Sequence, residues 1–247
     1  MRVAGDQHDF VEAVLEANRE IYLLCMQPDP SLYTPLQRGE GGDVTHRIDQ
    51  VAEEIFVKHL RRFGGIYSEE SGMICEGETL ITIDPLDGSD NFLSNFPYFG
   101  TSIAKENENG DVVAAVVVNL ATGAVFLKTS LGFVCGDLFD KRFHDVQKNP
   151  NPKIGIFERA YCSTYYAPKL KKAKVKYRVP GAMALSLALA HEVAFVIVEG
   201  ALRTFDVRAG LYMCEGLYQH KTNDLTIICQ NKNIFDRLRQ ILLEDER

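Results

Sequence analysis

The chain has no basic excess: 27 Lys and Arg stand against 34 Asp and Glu, for a net charge of −7. Without a basic surface there is little counterion to release, which argues against a nucleic-acid backbone as the main partner. An anionic ligand must then be met by a few local basic groups or by a bound cation. No CxxC pair occurs among the six cysteines at 25, 75, 135, 162, 214 and 229, and no histidine pair stands near them. A zinc knuckle or redox motif therefore has no support, and reduced core thiols are expected. The most apolar stretch, 182–198, is broken by His191 and Glu192 and is short for a membrane span. The opening MRVAGDQHDF lacks the apolar segment of a secretory signal. No repeats or low-complexity tracts occur. A cytoplasmic protein without nucleic-acid or membrane partners is the expectation. With 46% hydrophobic and 25% charged residues over 247 positions, the chain can bury a good core as one large domain or two lobes.

The chain is organised around residues 79–92, TLITIDPLDGSDNF. Thr79 to Ile83 are β-branched or apolar and favour a strand, and Pro85 holds Asp84 in extended backbone at its end. Asp87-Gly88-Ser89-Asp90 then reads as a turn into a helix N-terminus, where backbone N–H groups and the helix dipole favour an anion. Oxygen ligands for a hard cation thus sit beside donors for a phosphate. Carboxylates this close repel one another unless a cation neutralises them, and Mg²⁺ characteristically takes a few carboxylates plus phosphate oxygens. Asp-Gly and Gly-Ser-Asp are also ordinary turn formers, so composition alone leaves a surface turn equally open.

Around that stretch the pattern is mixed α and β. Residues 9–25 place Phe10, Val11, Val14, Leu15 and Ile21 at helical spacing, with Pro28 and Pro30 as stops. Residues 28–43 read as a mobile loop, and 45–63 as a second helix capped by Asp43 or Thr45. Asp49 lies beside the apolar stripe of that helix. A short strand, 65–67, leads into Glu69-Glu70, and 99–106, 112–119 and 124–128 read as antiparallel strands joined at Asn109-Gly110 and Thr122-Gly123. A polar stretch from 141 divides the chain into residues 1–140 and 141–247. Beyond it come a strand at 154–161, a helix at 181–190, a buried strand at 193–199 of the parallel kind, and a helix following Arg203-Thr204-Phe205-Asp206. Lys169, Lys171, Lys172, Lys174, Lys176 and Arg178 make the only basic cluster, either a solvated face or a phosphate contact. Taken singly, Asp49 and the paired glutamates read first as solvated side chains, and Asp206 equally as a helix N-cap.

Asp84 to Phe92 resembles the D-P-[IL]-D-G-[ST]-x-N-F signature of the inositol monophosphatase family, within the lithium-sensitive, magnesium-dependent phosphatases. GGDVTHRID resembles the family's first block, although Thr45 and Asp49 are four apart, as in archaeal members. Ser68-Glu69-Glu70-Ser71 resembles its [GS]-E-E-[ST] element, and Phe205-Asp206-Val207-Arg208-Ala209-Gly210 its W-D-x-x-A-G block, with Phe205 in a chain that contains no tryptophan. Asn119 to Gly123 and Leu202-Arg203 look like archaeal fructose-1,6-bisphosphatases, while Gly136-Asp137 replaces the usual Asn-Gly.

The resemblance implies a layered α-β-α-β-α fold of α/β (α+β) class, whose N-terminal half binds metal and whose C-terminal half shapes the substrate pocket. It implies a homodimer and two or three Mg²⁺ per active site. Glu69, Asp84 and the Leu86 carbonyl would hold one ion, and Asp84, Asp87 and Asp206 a second. Thr45, Asp49 and Ser89 would orient the attacking water with Glu70 in support. The Gly88 and Ser89 N–H groups would hold the phosphate, and Glu199 would bind substrate hydroxyls. Arg203, with Arg178 and its lysine neighbours, could meet a second phosphate, because arginine grips phosphate bidentately. The implied activity is hydrolysis of a small phosphate ester, fructose-1,6-bisphosphate or inositol monophosphate. A nucleotide 3′-phosphatase of the adenosine 3′,5′-bisphosphate type, or a non-catalytic regulatory protein on the same fold, is the alternative. Asn91 favours the sugar and inositol branch.

Overall fold

The computed structural model describes residues 5–140 and 142–244. The chain begins with α1 (Gly5–Met26), a hairpin of β1 (Pro35–Arg38) and β2 (Val44–His46), and α2 (Arg47–Leu60). It continues through β3 (Gly65–Ser68), β4 (Gly72–Cys75), β5 (Leu80–Asp87), α3 (Ser89–Leu93), β6 (Gly100–Glu106), β7 (Val112–Asn119), β8 (Ala124–Thr129), β9 (Gly132–Asp137) and β10 (Phe143–Asp145). The remainder is β11 (Gly155–Glu158), α4 (Tyr166–Lys172), β12 (Tyr177–Arg178), α5 (Met183–Ala188), β13 (Val196–Glu199), α6 (Thr204–Met213), β14 (Tyr218–Lys221), β15 (Leu225–Cys229) and α7 (Lys232–Leu243).

Strands β3 to β10 form an eight-stranded sheet in the order β10-β9-β8-β7-β6-β5-β3-β4, antiparallel except where β3 runs parallel to β5. A second sheet has the order β12-β11-β13-β15-β14. The apolar runs are continuous because both faces of each sheet are covered. On β7, Ala114, Val116 and Val118 join the core under α1 and α2. Ala115 and Val117 point the other way, to Ala184 and Leu185 of α5 and Ala209 and Met213 of α6. Met183 and Leu187 of α5 and Val207 of α6 then pack on Ile156, Val196 and Ile228 of the second sheet. The far face of that sheet, through Phe157, Ile197 and Ile227, meets Leu170 of α4 and Phe235 and Leu238 of α7. Four cores thus separate five layers, α-β-α-β-α, and α5 and α6 form the shared middle layer.

Three boundaries depart from the sequence expectation. Residues 28–43 are not simply a loop: Pro30–Tyr33 is a turn of 3₁₀ helix and Pro35–Arg38 pairs with Val44–His46. The second helix starts at Arg47, because Thr45 belongs to β2 and the Asp49 carboxylate accepts from the His46 amide at 2.6 Å, closing the N-terminus from inside the helix. The division at 140/141 falls between β9 and β10 of one sheet, so the changeover between sheets lies in residues 146–154.

Candidate active site

A cavity of about 720 Å³ opens where the C-terminal ends of β3 and β5 meet the N-termini of α3 and α6. Asp84 and Asp87 would face opposite sides of a regular strand. The β5–β6 register advances by three residues from Asp84 to Asp87 but by two from Ser102 to Gly100, a bulge that turns both carboxylates into the cavity. Pro85 suits the bulge because it has no N–H to pair. Asp84 Oδ1 accepts from the Leu86 amide at 3.0 Å, and the Asp87 oxygens accept from Met183 N and Leu185 N at 2.7 and 3.1 Å. Gly88 follows at φ 83°, where a Cβ would stand 3.0 Å from Ala182 Cβ and 3.1 Å from the Gly181 carbonyl, so the turn into α3 requires glycine.

The parallel pairing of Ser68 with Ile83 sets Glu69 beside Asp84. From the opposite side, the first turn of α6 delivers Asp206. Glu69, Asp84 and Asp206 each offer an oxygen within 4.8 Å of the others. Burial and mutual repulsion push Glu69 up to about 7 and Asp84 well above the usual carboxylate range. Asp87, raised by burial, stands beside this group and outside it. The donors are carboxylate oxygens only, with no thiolate or imidazole among them, which fits a hard cation such as Mg²⁺.

The β1–β2 hairpin lies across these acids. Glu40 N donates to the Glu70 carbonyl at 3.0 Å and Gly41 N to the Glu69 carbonyl at 2.8 Å. Thr45 donates its hydroxyl hydrogen to Glu70 Oε2. Asp49 is buried, its carboxyl pushed up to about 7 first by burial and then by repulsion from Glu70 and Glu69. Asp49 Oδ1 and His46 Nδ1 are buried without a hydrogen-bond partner among the described residues, and both residues line the cavity. Orphaned buried polar atoms in a polar cavity call for a ligand or a water.

The structure therefore gathers Thr45, Asp49, Glu69, Glu70, Asp84, Leu86, Asp87, Gly88, Ser89, Arg203 and Asp206 around one cavity. Two expected substrate contacts are not among its lining. Arg178 is exposed on β12 and donates to its own neighbour, the Tyr177 carbonyl. Glu199 ends β13 with Oε2 buried and without a hydrogen-bond partner among the described residues, off the cavity wall. Sequence reasoning missed Glu158 and Arg159. Glu158 is buried at the end of β11 and accepts from Ser186 Oγ and Gly181 N. Arg159 adopts φ 63° and binds the Ala201 carbonyl at 2.8 Å. An acid closing the apolar strand Gly155-Ile156-Phe157 was the available signal for Glu158. Nothing in the sequence marks the left-handed backbone that sets Arg159 at the cavity. Asn91 donates to the Tyr98 and Pro180 carbonyls at 2.6 and 2.7 Å, which ties the start of α3 to the loops before β6 and α5.

The model of the inositol monophosphatase family matches residues 31–217, which span both the hairpin and the Asp206 helix. The chain belongs to the inositol monophosphatase family. It is 26% identical over 186 residues to a fructose-1,6-bisphosphatase/inositol-1-monophosphatase of Archaeoglobus fulgidus, covering 72% of this chain and 69% of that one. It is 27% identical over 235 residues to a bifunctional NADP phosphatase/NAD kinase of Methanocaldococcus jannaschii, covering 79% of this chain and 38% of that one. In structure it is similar to the Leishmania major fructose-1,6-bisphosphatase, with a TM-score of 0.81 at 15% identity over 98% of this chain and 96% of that one. The family and these names are those of phosphatases, in line with the sequence resemblance. No helix among the described residues is long and apolar enough to cross a membrane.

Proposed function

We propose that the protein hydrolyses a small sugar or inositol phosphate, with fructose-1,6-bisphosphate favoured and inositol monophosphate as alternative or additional substrate. The observation that carries this reading is the convergence of Glu69, Asp84 and Asp206 beside the N-terminus of α3. Glu69, Asp84 and the Leu86 carbonyl would hold one Mg²⁺ and Asp84, Asp87 and Asp206 a second, and the bound metal would supply charge stabilisation at the phosphate and a lowered pKa for the attacking water.

The chain's own groups divide the remaining work. The first N–H groups of a helix lack intrahelical partners, so those at Gly88 and Ser89 can take phosphate oxygens. The Thr45 hydroxyl has its hydrogen committed to Glu70, which leaves its lone pairs to receive a hydrogen from water. Asp49 Oδ1 is unpartnered on a carboxyl that titrates near neutrality, and such a group can accept that water's proton. For a second phosphate, Arg159 is the better placed cation, because Arg178 lies off the cavity wall.

A nucleotide phosphatase is the second reading. It is favoured by the Tyr161 ring, 80% exposed on the cavity lining, where a base could stack. Phosphate release from fructose-1,6-bisphosphate, inositol 1-phosphate and adenosine 3′,5′-bisphosphate in Mg²⁺ separates the two. The highest kcat/KM on the nucleotide would move the assignment to the second reading.

A further inference from the structure

Arg203 is the most heavily engaged side chain in the cavity. Its Nε donates to Asp206 Oδ2 at 2.9 Å and its Nη2 to Asp206 Oδ1 at 3.1 Å, a fork that takes both oxygens of one carboxylate. The same Nη2 stands 3.0 Å from Glu69 Oε1. Nη1 donates to the Gly41 carbonyl at 2.8 Å and to Asp43 Oδ2 at 2.6 Å. Four hydrogen bonds and the ion pair with Glu69 thus hold the guanidinium, and one residue at the start of α6 ties together that helix, Glu69 just past β3 and the tip of the β1–β2 hairpin.

Glu69 and Asp206 are also two of the three carboxylates that converge as cation ligands. We propose that the Arg203 guanidinium and a divalent cation compete for these two carboxylates, so that Arg203 holds down the metal affinity of the site while it fastens the hairpin across it. The inference rests on the metal site assigned above.

Mg²⁺ requires carboxylate lone pairs at short range in near-octahedral geometry. A guanidinium already forked onto Asp206 occupies those lone pairs and places a like charge beside the incoming ion. Arginine cannot relieve that repulsion by losing its proton. Metal entry must therefore loosen at least part of the Arg203 contact. The same guanidinium holds the Gly41 carbonyl and Asp43, so the loosening reaches the hairpin that carries Thr45. Coupling of this kind is reciprocal: the factor by which the guanidinium contact weakens metal binding is the factor by which bound metal weakens the guanidinium contact. Arg203 is on this account a positioning residue, acting through Glu69 and Asp206. The opposite role, in which it orients the two carboxylates for the metal, makes the opposite forecast.

Calorimetric titration of the metal-free protein with Mg²⁺ tests the proposal without any turnover. Arg203→Met keeps an unbranched, flexible stem and removes the guanidinium with its charge. The expected result is Mg²⁺ binding at least about fivefold tighter than wild type, the low end of typical coupling between sites. In thermal melts, Mg²⁺ should raise Tm more in Arg203→Met than in wild type. Should Arg203→Met not fold, Arg203→Lys retains the charge without the fork and is expected to bind Mg²⁺ more tightly than wild type. Equal or weaker binding in a folded variant would overturn the competition and leave the phosphatase reading intact. Absence of Mg²⁺ binding to wild type and variant alike would overturn both.

Discussion

Gly41 rests against the Glu69 side chain so closely that a Cβ on residue 41 would stand 2.7 Å from both Cγ and Oε1 of Glu69. Residue 41 is also bonded to the Glu69 carbonyl, just past β3, through its amide and to Arg203 through its carbonyl. The hairpin tip and the acidic cluster therefore set each other's position, and glycine at 41 is a requirement of close approach. Gly41→Ala is expected to displace the Glu69 carboxylate and lower kcat/KM roughly tenfold or more, about 1.4 kcal/mol. Tm should change little, because the tip is at the surface. Wild-type kcat/KM in Gly41→Ala would show that Glu69 does not depend on the hairpin.

Asp84 lies at the centre of the acidic group, fully buried and repelled by Glu69, Asp87 and Asp206. Asp84→Asn removes one of those charges and keeps an oxygen for the Leu86 amide. Activity should be lost essentially completely, while the metal-free protein should be as stable as wild type or more so. Activity assays paired with thermal melts in EDTA check both halves. A folded Asp84→Asn protein with near-normal turnover would remove Asp84 from the ligand set.

The same acids set a pH dependence. Asp49 and Glu69 are pushed up to about 7, and Asp84 and Asp87 well above the ordinary value, chiefly by burial. In the unfolded chain these groups ionise near about 4. Between about pH 4 and pH 7 the folded state thus binds more protons than the unfolded state, so stability falls as pH rises through that window. His191, held below its ordinary value by burial, acts in the opposite sense as a single group against four. In EDTA, Tm should be higher at pH 5.5 than at pH 8. Mg²⁺ needs ionised ligands, so its stabilising effect should be larger at pH 8. A metal-free Tm that rises from pH 5.5 to pH 8 would contradict the charge state assigned to the cluster.

Outside the site, Gly155 in β11 faces the Phe195 ring, where a Cβ would stand 2.2 to 2.4 Å from ring carbons. Gly155→Ala is expected to destabilise the protein by about 1–3 kcal/mol through overpacking. Pairing it with Phe195→Leu should recover part of that loss, and denaturant melts of the single and double variants measure the coupling. Additive losses would mean that the two residues do not share the space.

The legible parts of the sequence were those with a local cause. The β-branched run into Asp84, the helical spacing of Phe10 to Ile21, and the hairpin glycines 110 and 123, at φ 80° and 79°, all formed as read. The acids that line the cavity were legible by position, because they close strands or open helices. What escaped was set by distant partners. The hairpin of residues 35–46 is polar and glycine-rich, and only its contacts with Glu69 and Glu70 give it shape. Arg178 carries the right chemistry, but the short strand β12 leaves it outside the cavity. Arg203 was readable as an anion-binding residue, while the identity of its anions, the protein's own carboxylates, depends on the folding of α6 against β3 and the hairpin.

The most direct test is phosphate release from fructose-1,6-bisphosphate and inositol 1-phosphate by the purified protein, first in Mg²⁺ and then after EDTA treatment shown by elemental analysis to have removed the metal. Turnover of at least one ester in Mg²⁺, abolished by metal removal and restored when Mg²⁺ is returned, is the expected result. Full turnover by protein shown to be metal-free, or no turnover of either ester in Mg²⁺, would contradict the account.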